Sequence, residues 1–294
     1  MKRLRPFAYH EPASLAEAIT VLGDAGEGAR LLAGGTDLVV DMKTGRMRPP
    51  VVVNLKRIPG LSTIEVVPGG VRIGALTSVR AVEASDLVRQ RHPAFAEAAA
   101  VLATPPVRGL ATVGGNIGRA SPASDLAPPL IVLGAAVEIE GAAGARREPV
   151  EGIFRGPGIT TLAPDDVVTA VILPDAPPRF GAAHLKLGAR GGGTDIAVVG
   201  VCAGVTLGPA GRIEEARIVL ASVAPTPLRA REAEALLEGR PPDEEYLAAA
   251  AEAAAAATSP IDDTRASAAY RVAVSRVLVR RALRRALAAA GGAA

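Results

Sequence analysis

Apolar residues along this chain recur at two different periods, and the alternation between them marks out the elements. Leu15, Ala18, Ile19 and Leu22 repeat at helical spacing. Ser14-Leu15-Ala16-Glu17 at their head has the form of a capping box, in which a serine oxygen and a glutamate carboxylate satisfy orphan amides. Gly23 is expected to end this helix. Short apolar runs then predict strands at 29–33 and 51–55, with a helix over 38–43 between them. Residues 64–67 and 71–73, joined through Pro68-Gly69-Gly70, predict a hairpin. Helices are expected at 78–84 and 93–102, and strands at 137–140 and 167–173.

Pro174-Asp175-Ala176-Pro177-Pro178 reads as a linker, because consecutive prolines hold the chain extended. The expected division is therefore 1–177 and 178–294. Beyond it, 184–187, 197–207 and 213–221 predict three strands, the last two joined by the Gly208-Pro209-Ala210-Gly211 turn as an antiparallel pair. Helices are expected at 229–237, 243–257 and 264–289. Tyr270, Val274, Val277 and Leu278 would form the apolar stripe of the last helix. Arg271, Arg276, Arg280, Arg284 and Arg285 fall largely off that stripe; a solvated face is the first reading and a subunit contact the second. The class is α+β.

Composition then removes whole categories of function. Across 294 residues there are 33 basic and 30 acidic side chains, a formal charge of +3. With four Phe, three Tyr and no Trp, the chain lacks the stacking aromatics that nucleic-acid readers add to basic clusters. Cys202 is the only cysteine, which excludes an intrachain disulfide, a four-thiolate iron–sulfur cluster and a cysteine-based zinc site. His10, His92 and His184 are too scattered for a histidine metal site. Any redox centre must be borrowed. No secretory leader pattern and no membrane-length apolar run is evident, so the expected location is the cytoplasm.

Two segments carry candidate chemistry. In Leu31-Leu32-Ala33-Gly34-Gly35-Thr36-Asp37-Leu38 a strand ends in paired glycines followed by Thr-Asp and a helix. Bare amides at a helix start, carrying roughly half a positive charge, suit an anion. Thr36 could both cap that helix and donate to a phosphate oxygen; the plainer reading is a tight βα turn. Thr112-Val113-Gly114-Gly115-Asn116-Ile117 repeats the paired-glycine-and-polar character. Successive amides in such turns form a nest for an anion, and two of them suggest two walls around a diphosphate. Asp125 could accept from a ribose or ribityl hydroxyl, or else cap a helix beginning near Ala127. No Gly-Lys-Ser/Thr ending is present, and no Gly-x-Gly-x-x-Gly links a strand to a helix, so neither a P-loop nor a Rossmann fingerprint applies. Gly191-Gly192-Gly193 is better read as a hairpin tip than as a phosphate loop.

At these loops the chain resembles the FAD-binding medium subunit of molybdenum hydroxylases, the group that includes the carbon monoxide dehydrogenase flavoprotein and the central domain of xanthine dehydrogenase. The resemblance runs from Pro6-Phe7-Ala8-Tyr9 through Ala33 to Leu38, Met42-Lys43, Asn54-Leu55 and Ile73-Gly74-Ala75. It continues over Val107-Arg108, Thr112 to Ile117, Ala120-Ser121-Pro122, Asp125, Phe154-Arg155-Gly156, Lys186 and Asp195-Ile196-Ala197, nearly the whole chain. It implies an FAD domain of two α/β subdomains with the cofactor between them, then a smaller domain of three-stranded antiparallel sheet and helices.

Carried over by position, Leu32, Ala33, Gly34, Gly35, Thr36, Asp37 and Leu38, with Thr112, Gly114, Gly115 and Asn116, would hold the pyrophosphate region. Asp125 would meet a sugar-like hydroxyl. Leu102 and Leu162 would pack apolar parts of the cofactor or serve as ordinary core leucines, and Lys186 would lie near the flavin, where a cation stabilises the reduced anion. The chain departs from some relatives at Gly109, where Asn is common, and at Ile196, where a flavin-facing Tyr is found. FAD would be bound non-covalently. The resemblance further implies a large partner subunit with the molybdenum cofactor and a small one with two [2Fe-2S] clusters, this chain relaying electrons to NAD, a quinone or another acceptor. It needs no catalytic side chain and no metal of its own, nucleic acid and membrane spans being absent from the reading. A free-standing FAD-dependent oxidase or reductase, and an FAD-less scaffold subunit, are the alternatives.

Overall fold

The structure, a computed structural model, describes residues 4–189 and 195–291. Its first layer comprises β1 (Ala8–His10), α1 (Leu15–Ala25), β2 (Ala29–Leu32), α2 (Leu38–Thr44) and β3 (Val51–Asn54). The three strands pair in parallel in the order β1-β3-β2. Ala18 and Leu22 of α1 pack with Val53, Leu55 and Ile58. The Ser14 cap is present, and the reciprocal bond is displaced by one residue: Ser14 Oγ accepts the Glu17 N–H at 3.2 Å, while the Glu17 carboxylate accepts the N–H of Ala13, just before the cap, at 2.9 Å. Gly23 does not end α1. The helix continues to Ala25 and stops at Gly26, whose positive φ of +58° is one that glycine adopts readily.

A second sheet follows. It is fed by β4 (Ile64–Val67) and β5 (Gly70–Gly74), and then by the helices α3 (Val79–Ala84), α4 (Asp86–Arg91), α5 (Pro93–Val101), α6 (Pro105–Leu110), α7 (Val113–Arg119) and α8 (Ala127–Val132). Next come β6 (Ala136–Gly141), β7 (Gly144–Pro149), a small ribbon of β8 (Phe154–Gly156) and β9 (Ile159–Thr160), and β10 (Val167–Pro174). The strand order is β4-β5-β10-β6-β7, every pairing antiparallel. Buried side chains of the helices, Phe95, Val113, Ile117 and Leu130 among them, share one core with Val71, Ile73, Val137 and Ile139 of this sheet.

After residues 175–179 the chain enters β11 (Phe180–Gly188), β12 (Ala197–Leu207), β13 (Ile213–Ala221) and β14 (Leu228–Arg229), then α9 (Arg231–Ala235), α10 (Glu244–Ala256) and α11 (Ala268–Ala289). The three expected strands form an antiparallel sheet, and two-residue β14 joins its edge, taking the start of the segment expected to be helical from 229. All eleven residues of β12 are buried, because the sheet is covered on both faces. Val201, Ala203 and Val205 pack with Leu283, Ala286 and Leu287 of α11. Cys202, on the opposite face, belongs to the core of the preceding helices. The two regions thus share apolar packing rather than meeting across a wet interface.

The stripe on α11 sits in a different register from the expected one. Leu278, Val279, Ala282, Leu283, Ala286 and Leu287 are buried, whereas Tyr270 and Val277 are about half exposed. Arg271 is inside: its guanidinium donates to the carbonyls of Val198 and Ser222 and pairs with Asp263. The other arginines named with it tie the helix to neighbours, Arg276 to Glu252, Arg280 and Arg284 to Glu244, and Arg285 to Glu97. Among the described residues no helix is long and apolar enough to cross a membrane. Gly191-Gly192-Gly193 lies outside the described residues.

Candidate functional site

The first glycine loop leaves β2 at Leu32 and enters α2 at Leu38. Gly35 turns the chain with φ +72°, over Leu32 and Val39. Gly34 packs so tightly on the end of α6 that a Cβ would collide with the Leu110 carbonyl oxygen. Neither polar side chain caps α2. Asp37 occupies the N-cap position without a capping hydrogen bond, and the Thr36 hydroxyl has no hydrogen-bond partner among the described residues, so Thr36 is not the expected cap. In consequence the N–H groups of Gly34, Gly35, Thr36, Asp37 and Leu38 donate to no acceptor among the described residues.

The second loop lies against the first, a Cβ on Gly115 coming 3.8 Å from Ala33 Cβ. Its donors are occupied. Val113 N–H donates to Thr77 O at 3.1 Å, Gly114 N–H to Ala75 O at 2.8 Å and Asn116 N–H to Thr112 O at 3.0 Å. Thr112 Oγ1, the N-cap of α7, accepts the Gly115 N–H at 3.2 Å. Gly114 is bare because a Cβ would press on Ala75 at 2.6 Å. What this loop can offer a ligand is side-chain chemistry. Ser124 Oγ donates to Asn116 Oδ1 at 2.6 Å, which leaves the Asn116 amide protons free to donate.

Ser124 also accepts the Ala127 N–H at 3.1 Å, so it, and not Asp125, satisfies the start of α8. Asp125 instead turns inward toward β11. Its Oδ2 accepts from Lys186 Nζ at 2.8 Å, and Oδ1 is buried with no donor. Burial raises the Asp125 carboxyl from 3.8 to about 6, with Lys186 working against the rise. Lys186, its side chain 1% exposed, donates also to the Val101 carbonyl at 2.9 Å. An ammonium has three donors and two are used here. A buried acceptor and a spare donor therefore stand side by side, an arrangement that suits a ligand group able both to give and to take a hydrogen bond.

Leu102, just after α5, is buried in the core, and Leu162 packs half-buried against the same core. Arg108 fixes the bend at this point: it donates to the carbonyls of Leu102 and Ala103, 3.1 and 3.0 Å, and pairs with Glu83 at 2.9 Å. Hydrogen bonds and chain neighbours thus link Asn116, Ser124 and Asp125 to Lys186, with Gly115 of the same loop close to Ala33 of the first. A cleft of about 610 Å³ elsewhere, on the sheet face carrying Glu65, Arg72, Glu138 and Arg147, shares no residue with this chain of contacts. Its charges pair with one another at 2.7–3.2 Å.

The chain has close relatives among known proteins. Residues 5–176 match the model of the FAD binding domain in molybdopterin dehydrogenase, and 183–286 that of the CO dehydrogenase flavoprotein C-terminal domain. It is 36% identical to the carbon monoxide dehydrogenase medium chain of Afipia carboxidovorans, over 97% of this chain and 98% of that one. It is 33% identical to the xanthine dehydrogenase FAD-binding subunit of Escherichia coli, over 97% of each. Among solved structures it is similar to a chain of the reconstituted CO dehydrogenase from Oligotropha carboxidovorans, with TM-score 0.93 and 35% identity, covering 98% of this chain and 100% of that one. With matches that span both sheets and both loops, the chain belongs to the family of FAD-binding medium subunits of the molybdenum hydroxylases.

Proposed function

We propose that this chain is the FAD-carrying electron-transfer subunit of a heteromeric molybdenum hydroxylase, working beside a large subunit with the molybdenum cofactor and a small one with [2Fe-2S] clusters. Electrons would pass from those clusters through FAD to NAD, a quinone or another acceptor. The observation that carries the reading is the run of five open N–H groups at 34–38, linked through the second loop to a buried Asp125–Lys186 pair with one acceptor unmet.

The residues present fit FAD. Open amides suit diphosphate oxygens, since they supply donors in a fixed concave array without a mobile cation. Asn116 adds its amide protons from the second loop. Asp125 Oδ1 suits a ribityl hydroxyl, and Lys186 puts a buried positive charge where the flavin ring would meet β11. Leu102 and Leu162 would pack against apolar parts of the cofactor. When bound, FAD supplies the exchange between two-electron and one-electron carriers, and the protein's part is binding, orientation and electrostatics. No acid–base residue is required, and substrate would be oxidised on the partner chain.

The test is to purify the full-length chain with whatever subunits accompany it and identify both the flavin and the partners. Dissociable FAD with two larger and smaller metal-bearing companions is expected. A colourless protein that binds no added FAD contradicts the reading, and a yellow chain that oxidises substrate unaided would establish the free-standing oxidase instead.

A further inference from the structure

Directly behind the open amides, the first turn of α2 carries two carboxylates. Asp37 stands at its N-cap position and Asp41, one turn on, is 5% exposed. Arg119, the last residue of α7, reaches both. Its Nε lies 3.3 Å from Asp37 Oδ1 and its Nη1 3.3 Å from Asp41 Oδ2. Arg46 also approaches Asp41, at 3.8 Å, from a side chain that is largely in solvent. Arg119 is the cation that meets both carboxylates and connects the helix after the second loop to the helix after the first.

Two consequences follow from elementary electrostatics. An anion on the 34–38 amides would face Asp37 and Asp41 as like charges if no counter-charge were held there. An aspartate at an N-cap ordinarily accepts from the amides of the first helical turn. Released from Arg119, Asp37 would be free to turn toward the Val39 and Val40 amides, bringing an unpaired carboxylate up against an anion held on 34–38.

We propose that Arg119 is a positioning residue for the phosphates of the cofactor: by holding Asp37 and Asp41 it keeps the first loop electrically receptive to an anion. The inference rests on the reading of that loop as the FAD diphosphate site. Arg119 does not touch the ligand in this arrangement; it acts through the two carboxylates.

Equilibrium FAD binding tests it, using flavin-depleted full-length protein with its accompanying subunits and following flavin fluorescence in the wild type, R119Q, R119K and the triple variant D37N/D41N/R119Q. R119Q should weaken FAD about tenfold, the scale of one charge-assisted contact, and R119K should fall between it and the wild type. The triple variant should return to within about threefold of wild type, since removing the carboxylates removes the need for their counter-charge. A merely structural strut would not be rescued in this way. Wild-type affinity in R119Q, or a triple variant as weak as R119Q, overturns the proposal. If R119Q does not fold, D41N alone decides: equal or tighter FAD binding is expected, and weaker binding overturns it. A wild-type protein that binds no FAD fails the underlying reading itself, and that result is distinct from the others.

Discussion

Residues 33–38 and 112–116 both place paired glycines at the entrance to a seven-residue helix, yet their backbone donors have opposite fates. In the second loop Thr112 caps α7 and the carbonyls of Ala75 and Thr77 take the neighbouring N–H groups. In the first, Thr36 and Asp37 leave α2 uncapped, and five consecutive N–H groups have no acceptor among the described residues. Similar sequence thus builds a closed wall and an open cradle. The glycines themselves do not distinguish the two, because Gly34 and Gly114 are each required by close packing within the protein.

The strongest way to probe that last point is Gly34→Ala. The Leu110 carbonyl blocks the new Cβ with backbone, so a loss of about 3 kcal/mol in denaturant unfolding is expected, independent of FAD. Stability unchanged in flavin-free protein would mean that Gly34 does not pack on the Leu110 carbonyl as described.

A comparable effect, dependent on pH, belongs to the carboxylate behind the second loop. The folded Asp125 carboxyl sits at about 6, above its ordinary 3.8, because it is buried. The folded state therefore holds this proton more tightly than the unfolded chain does. Stability from this group is complete below about pH 4 and is lost as pH rises through about 6, a change of roughly 2–3 kcal/mol. The unfolding free energy of wild type minus that of D125N should fall over this window; a flat difference would remove Asp125 from the buried pair.

The smallest effects separate the loops most cleanly, because they use the same residue type. T112A removes an N-cap and should cost about 1 kcal/mol of stability with FAD affinity little changed. T36A removes a hydroxyl without a hydrogen-bond partner among the described residues, so stability should hold within about 0.5 kcal/mol while FAD binding weakens several-fold. The reverse pattern would exchange the roles assigned to the two loops.

What the sequence made legible was local. The Ser14 and Glu17 cap, the hairpin around Pro68-Gly69-Gly70, and the candidate status of Asp125 and Lys186 rest on short spacing or on residue-by-residue resemblance. What escaped was decided at a distance. Nothing near Arg119 indicates that it spans to Asp37 and Asp41, and nothing in Thr112-Val113-Gly114-Gly115 shows that Ala75 and Thr77 take its amides. The sequence offers Asp125 as a cap for α8, but the fold gives that role to Ser124 and draws Asp125 toward β11. Arg271 misled the helical stripe for the same reason: carbonyls of Val198 and Ser222 and the carboxylate of Asp263 make an interior place for a charge.

The open cradle is tested most directly by amide hydrogen exchange on the protein with and without FAD. Residues 34–38 should exchange rapidly in the flavin-free form and become protected when FAD binds, while 113–116 should be protected in both. Protection gained at 113–116, with 34–38 unchanged, would contradict the assignment of the first loop as the cradle.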